Sequence, residues 1–214
     1  MTFEEQRLRM VEEQIKARGV VDERLLETFR RVPRHLFVPP EWRQDAYADR
    51  ALPIGAGQTI SQPYIVALMT SCLRLQGHER VLEVGAGSGY QTAILAELAL
   101  EVFAVEWLHE LLEPLRDRLA HLGYLNVHLK LGDGSMGWIE HTPYDAILVG
   151  AAAPEIPEPL LEQLAQDGRM VLPVGSQQEQ RLIQVEKHRG VIHRSELASC
   201  VFVPLVGRYG WPQS

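Results

Sequence analysis

The sequence predicts an α/β fold, a doubly wound and mainly parallel sheet with a helical extension before it and antiparallel strands after it. Three observations lead there. Val81 to Val84 reads as a short buried strand, glycines follow at alternate positions (Gly85, Gly87, Gly89), and Gln91 to Leu98 is a strong helix former with Ile94, Leu95 and Leu98 on one side. Apolar strand-like runs then alternate with helical runs along the chain, as in a parallel sheet with helices on both faces. Acids or small residues stand where those strands end, at Glu83 to Gly89, Glu106, Asp133 and Gly150 to Ala153. Open sheets of this kind hold ligands outside the carboxyl ends of their strands.

A strand, a glycine turn and a helix N-terminus make a nucleotide-type site, because free N–H groups point at the ligand. The dinucleotide fingerprint is G-x-G-x-x-G. Here the spacing is one residue shorter, Gly85-Ala86-Gly87-Ser88-Gly89, and the acid Glu83 lies inside the strand end. A carboxylate there repels a pyrophosphate and suits an amine and a sulfonium, so S-adenosylmethionine fits better than NAD. Glu101 to Glu106 is a second strand ending in a carboxylate about 20 residues after the first glycine, where a ribose-hydroxyl acceptor belongs. The alternative for Glu106 is a solvated strand-end charge.

The 214 residues suffice for one large domain with a full core, and 46% apolar with 23% charged residues is ordinary for a globular protein. The net charge of −7 argues against non-specific nucleic-acid binding. No signal peptide or membrane span is expected, and Cys72 and Cys200 read as two buried reduced thiols, so the cytoplasm is the expected compartment; a monomer is expected as well. The chain divides into residues 1–77, a helical extension with a substrate loop; residues 78–175, a cofactor-binding core; and residues 176–214, C-terminal strands.

Glu4 to Ala17 is expected to be helical, with Leu8, Val11 and Ile15 on one stripe and Gly19 as the stop. Asp22 can cap a second helix carrying Leu25, Leu26 and Phe29, ended by Pro33. Arg34 to Pro40 is a connector in which His35 reads as a hydrogen-bonded structural group. Asp49 to Gln62 is a polar, glycine-bearing loop. Pro63 opens a helix with Ile65, Leu68, Met69 and Cys72 on its apolar face, and Ser61 takes the N-cap position. Ser61 reads equally as that cap or as a hydroxyl facing an anionic substrate.

His109 to Leu122 is a helix with Leu111, Leu112, Leu115 and Leu119 inward. Asn126 to Leu131 is a third strand, running into Gly132-Asp133-Gly134, either a simple turn or an acceptor for an adenine amino group. Tyr144 to Gly150 is the fourth strand, and the small residues after it let a substrate backbone approach. Glu158 to Gln166 is expected as a helix closed by Asp167-Gly168, and Met170 to Val174 as a fifth strand. Gln180 to Lys187 and Ser199 to Val206 read as antiparallel partners, with a turn at His188-Arg189-Gly190. His188 and His193 have a ligand-like spacing, but no Cys or acid joins them, so no metal is expected.

Along nearly its whole length the chain resembles the bacterial protein-L-isoaspartate O-methyltransferase family. The stretches that carry the resemblance are Met10 to Ile15, Val32 to Pro39, Gly57 to Tyr64, Val81 to Tyr90, Gly132 to Ser135, Ala151 to Pro157 and Phe202 to Gly207. Many methyltransferases share the glycine loop. Thr59-Ile60-Ser61 and Val203-Pro204-Leu205 are far more specific. The resemblance implies a Rossmann-like class I methyltransferase fold, S-adenosylmethionine as donor with S-adenosylhomocysteine as product, and an L-isoaspartyl carboxylate in damaged peptides and proteins as acceptor, the first step of their repair.

By position, Ser61 matches the family's active-site serine. Glu83 and Gly85, Ala86, Gly87, Ser88 and Gly89 would hold the methionine part, Glu106 the ribose, and Asp133 with Gly134 the adenine end. Thr59, Ile60, Leu205 and Val206 would border the substrate. One departure is Gly150, where the family commonly has threonine. The tail from Arg208 to Ser214 matches nothing. Two other readings stay open from sequence: a methyltransferase of this fold with another acceptor, and a cofactor-binding module without catalysis.

Overall fold

The computed structural model describes residues 1–212. The N-terminal segment is helical as expected but changes pitch. Helix α1 (Phe3–Met10) continues into a π turn (Val11–Ile15) and a 3₁₀ turn (Lys16–Arg18), and left-handed Gly19 ends it. The wider turn rotates the stripe. Val11, Ile15 and Met10 are buried, and Leu8, expected inward, is 42% exposed. Helix α2 (Glu23–Arg31) is capped by Asp22, whose side chain accepts from the Leu25 N–H, and it buries Leu25, Leu26 and Phe29. His35 lies in the 3₁₀ turn after it, its Nδ1 2.8 Å from the Tyr47 hydroxyl and its ring stacked on Phe3.

The stretch expected as a loop from Asp49 is an antiparallel hairpin of β1 (Leu52–Gly55) and β2 (Gln58–Ile60). Its turn residues Ala56 and Gly57 both have positive φ, +49° and +70°. Such a pair matches strand twist in a two-residue hairpin turn. Helix α3 (Pro63–Leu73) has Gln62 at its N-cap, with no side-chain cap. Ser61 therefore stands one residue outside the position predicted for it. The apolar face of α3 is also rotated: Val66, Ala67, Met69, Thr70 and Leu73 are buried, while Ile65, Leu68 and Cys72 are half-buried.

The nucleotide unit follows its prediction closely. Strand β3 (Arg80–Val84) leads through the glycine turn to α4 (Tyr90–Leu98), then β4 (Glu101–Glu106), α5 (His109–His121), β5 (Val127–Leu131) and β6 (Tyr144–Val149). Helix α6 (Glu158–Gln163) is shorter than expected. The ammonium of Lys187 donates to the carbonyls of Leu161 (3.2 Å) and Leu164 (2.8 Å), and Leu164 already pairs with Tyr144 in the sheet. Strand β7 (Leu164–Gly175) thus takes up residues predicted as helix, with a register irregularity between Leu164 and Arg169, where Asp167 has a positive φ of +61°. Strand β8 (Gln180–His188) turns at Arg189-Gly190 into β9 (Val191–Cys200). The partner of β8 is therefore Val191–Cys200 and not the predicted Ser199 to Val206. Strand β9 is an outer strand with little burial, so it lacks the apolar alternation that marks a half-buried strand.

The sheet order is β5-β4-β3-β6-β7-β8-β9, parallel from β5 to β7 and antiparallel from β7 to β9. The chain winds outward from β3 in one direction and from β6 in the other, so the switch point lies between them. Alternation along β3 places Val81 in one apolar layer, with α3, α4, α5 and the N-terminal helices, and Leu82 and Val84 in the other, with α6. Glu83 points the same way as Val81, into the helical layer, and is wholly buried. Cys72 and Cys200 are free thiols and only half-buried, less enclosed than predicted. No helix among the described residues is long and apolar enough to cross a membrane.

Candidate active site

The carboxyl ends of β3, β4 and β6 meet at the switch point. Gly85 donates its N–H to the Val105 carbonyl and Gly150 donates to Val84, both at 2.8 Å. A Cβ built on Gly150 would lie 3.0 Å from the Gly85 carbonyl oxygen. The three loop glycines have positive φ, +83°, +54° and +85°. At Gly89 the limit is also steric, because a Cβ there would come 2.2 Å from Leu115 Cδ1 of α5. Gly89 thus seats α4 against its neighbour and does not itself line the cavity described next.

A cavity of about 240 Å³ runs across the strand ends. Gly85, Gly87, Glu106 and Gly134 line it together with Thr59, Leu205 and Val206. A smaller pocket opens beside it, lined by Thr59, Ile60, Ser61, Ala86, Ser88 and Tyr90, with Glu83 among its walls. A third opening of about 230 Å³ lies between Ser61, Gln62 and the strand-like segment from Ala198 to Val203. Thr59 and Gly150 belong to all three, so they stand where the spaces join.

The two acids of the unit are held differently. Glu106 is buried and structurally engaged: Oε2 accepts the Gly87 N–H and Oε1 the Leu108 N–H, both at 2.8 Å. Each oxygen keeps a further lone pair for a ligand hydroxyl. Neither carboxylate oxygen of Glu83 has a hydrogen-bond partner. Burial pushes its carboxyl up to about 8, the Thr92 hydroxyl opposes that shift, and the Glu106 charge adds to it. A buried acid left without partners is costly unless a cation meets it.

Asp133, expected at the adenine end, is engaged within the fold at the start of the turn after β5. Its Oδ1 accepts the Ser135 N–H (2.9 Å) and hydroxyl (2.6 Å), and its Oδ2 accepts the Arg208 N–H (2.7 Å). The carboxylate pins the tail, and Gly134 beside it lines the cavity. The tail, unmatched from sequence, folds back: the Trp211 N–H donates to Leu205 O at 2.7 Å. Trp107 and Leu108 also line the cavity and were missed. A signal existed, since Trp107 is a large apolar residue directly after a strand-end acid.

A family model described as "Protein-L-isoaspartate(D-aspartate) O-methyltransferase (PCMT)" matches residues 5–210. The chain belongs to the protein-L-isoaspartate O-methyltransferase family. A protein-L-isoaspartate O-methyltransferase of Syntrophus aciditrophicus (strain SB) is 55% identical over 212 residues, 98% of this chain and 97% of that protein. One from the archaeal genus Methanoculleus, M. marisnigri (strain ATCC 35101 / DSM 1498 / JR1), is 52% identical over 96% of this chain and 94% of its own. A solved protein-L-isoaspartate O-methyltransferase superposes with a TM-score of 0.85 at 28% identity, covering 97% of this chain and 67% of that one. A second, from Plasmodium falciparum and described as in complex with S-adenosyl-L-homocysteine, gives 0.81 at 25% identity, covering 94% and 98%. The class I methyltransferase fold expected from sequence is the fold of these enzymes.

Proposed function

We propose that this chain carries out the family reaction, methyl transfer from S-adenosylmethionine to the free carboxylate of L-isoaspartyl residues, with Ser61 orienting the acceptor. One observation carries the placement: the cavity beneath the glycine turn and the opening beside Ser61 share Thr59 and Gly150 as walls. On this reading donor and acceptor would bind side by side.

The donor fits the residues present. Glu83 offers a buried carboxylate with two unpartnered oxygens, which suits the ammonium and sulfonium charges of S-adenosylmethionine. Gly85, Ala86, Gly87 and Ser88 would border the methionine part, Gly89 would set the start of α4, and Glu106 would take the ribose hydroxyls. Asp133 and Gly134 would face the adenine end, the Asp133 carboxylate also holding that wall in place. Bound S-adenosylmethionine supplies a methyl group already activated on a sulfonium.

The protein's own part is placement. An isoaspartyl carboxyl with a pKa near 4 is ionised at neutral pH, so no general base is required. Ser61 would donate its hydroxyl to that carboxylate, while Thr59, Ile60, Leu205 and Val206 border the peptide and exclude water. Holding the reacting oxygen in line, partly desolvated, is proximity catalysis.

The reading takes residues 1–77 as the acceptor side, residues 78–175 as the donor side and residues 176–214 as a third wall of one domain. It takes the enzyme as a cytoplasmic monomer acting on polypeptides and not on nucleic acid, in keeping with the net charge of −7. Paired normal and isoaspartyl peptides with labelled S-adenosylmethionine test it. Label is expected in the isoaspartyl peptide alone. Methylation of neither peptide by a protein that binds S-adenosylhomocysteine would overturn it.

A further inference from the structure

Arg34 is fully buried, and no carboxylate among the described residues pairs with it. Its Nε donates to the Ala46 carbonyl and its Nη2 to the Ser61 carbonyl, both at 2.7 Å. Nη1 has no partner. The guanidinium carbon lies 4.8 Å from the centre of the Tyr90 ring, at the start of α4, and the Tyr90 hydroxyl is likewise buried without a partner. The carboxylate whose charge it feels is Asp49, which is itself paired with Arg18 at 2.7 Å. Burial lowers the guanidinium to about 10, still well above neutral pH, so the group remains a cation.

A charge held in the interior against two carbonyls and an aromatic face is an expensive way to brace a loop. An apolar side chain could fill the volume, and a neutral donor could make either bond. The cation becomes useful if an anion arrives nearby. Ser61 is such a place, since it lines both the pocket beside the glycine turn and the acceptor opening.

We propose that Arg34 is a positioning residue for the acceptor. By gripping the Ser61 carbonyl it fixes the Thr59-Ile60-Ser61 segment relative to the glycine turn. It also holds a positive charge, preorganised and out of water, behind the seat of the acceptor carboxylate. The Ala46 bond ties that segment to the end of the turn Pro40–Asp45, so the N-terminal extension sets the geometry of the acceptor side. This inference rests on the isoaspartyl reading and adds a residue to it.

Arg34→Lys and Arg34→Met separate the brace from the charge. Lysine keeps the charge but cannot offer the planar fork that reaches two carbonyls at once. Methionine keeps volume and loses the charge. The measurements are peptide kcat and KM per folded molecule, S-adenosylhomocysteine affinity by calorimetry, and thermal unfolding. With an isoaspartyl peptide, kcat/KM is expected to fall about tenfold in Arg34→Lys and about a hundredfold in Arg34→Met, the span of one hydrogen bond to a charged group. S-adenosylhomocysteine affinity stays within about threefold in both, a small shift on the scale of tenfold per 1.4 kcal/mol.

The partial rescue by lysine, at unchanged cofactor affinity, is what a plain structural brace would not produce. Wild-type peptide kcat/KM in folded Arg34→Lys would overturn the proposal, as would equal losses in peptide turnover and cofactor affinity. If Arg34→Met does not fold, Arg34→Gln, uncharged but able to donate to one carbonyl, takes its place in the comparison with Arg34→Lys. A wild-type protein that binds S-adenosylhomocysteine yet leaves isoaspartyl peptide unmethylated would instead strike the underlying activity, and the two failures are distinct.

Discussion

The carboxylate of Glu106 accepts the backbone N–H of Gly87 at 2.8 Å, so the acid at the end of the second strand is a clamp on the glycine turn as well as a candidate ligand contact. Glu106→Ala removes this bond and the one from Leu108. Bonds to a charged group are worth roughly 1.5–3 kcal/mol, so S-adenosylhomocysteine affinity should fall about tenfold to a hundredfold. Thermal unfolding of the free protein should also shift down, which a pure ligand contact would not cause. Calorimetry and an unfolding scan of one preparation check both.

Glu83 gives a pH dependence. Its carboxyl titrates near 4.5 in an unfolded chain and about 8 when folded. Between those values the unfolded state binds fewer protons, so stability falls as pH rises through the window and levels off above it. Glu83→Gln should therefore unfold at a higher temperature than wild type at pH 8, with the gap closing toward pH 4.5. Cofactor affinity should move the opposite way, weaker in the variant. Binding of S-adenosylmethionine to wild type at pH 7 should release protons, seen as a buffer-dependent heat in calorimetry, and Glu83→Gln should show none.

Ser61→Ala separates structure from function more cleanly than its predicted cap position allowed. Because Gln62 is the N-cap of α3, removing the Ser61 hydroxyl should change stability by less than about 0.5 kcal/mol. Turnover of isoaspartyl peptide should still drop about tenfold to a hundredfold, the worth of one bond to a carboxylate. A covalent nucleophile would show a loss nearer a millionfold. Wild-type kcat/KM in this variant would remove Ser61 from the reaction.

Asp133→Ala should loosen the tail and the cavity wall together. The carboxylate serves Ser135 and Arg208, and the tail beyond Arg208 returns to hold Leu205. A stability loss of roughly 1.5–3 kcal/mol is expected. Cofactor affinity should weaken as well. A chain ending at Gly207 should show weakened cofactor binding with a smaller loss of stability, because the Ser135 bonds remain. Unfolding and S-adenosylhomocysteine titration of the two variants compare directly.

The elements that sequence reasoning placed well are those with two buried faces or one strong stripe. Strands β3, β4 and β6 are apolar runs because both of their faces are covered, and Leu111, Leu112, Leu115 and Leu119 of α5 are buried as their spacing requires. The misplacements have the opposite character. Strand β9 is an outer strand with polar residues on both faces, and β1 and β2 are only 4 and 3 residues long. Gly55-Ala56-Gly57 between Leu52-Pro53-Ile54 and Gln58-Thr59-Ile60 is the available sign of that hairpin. Leu164 to Gly168 joined the sheet and not α6 because Tyr144 and Lys187, both distant in sequence, claim that segment.

By itself the sequence determined the strand, glycine turn and helix, the acids at the strand ends, and hence a donor carrying positive charge and no pyrophosphate. Those follow from periodicity and from residue chemistry within a few positions. Only the tertiary structure decided what those acids do. Glu106 and Gly87 are 19 residues apart, Arg34 and Ser61 are 27 apart, and Asp133 and Arg208 are 75 apart. Each bond joins a side chain to a backbone group on a different element. Every residue but proline carries a backbone N–H, so the choice of partner is fixed by packing and burial and leaves no mark on the local pattern.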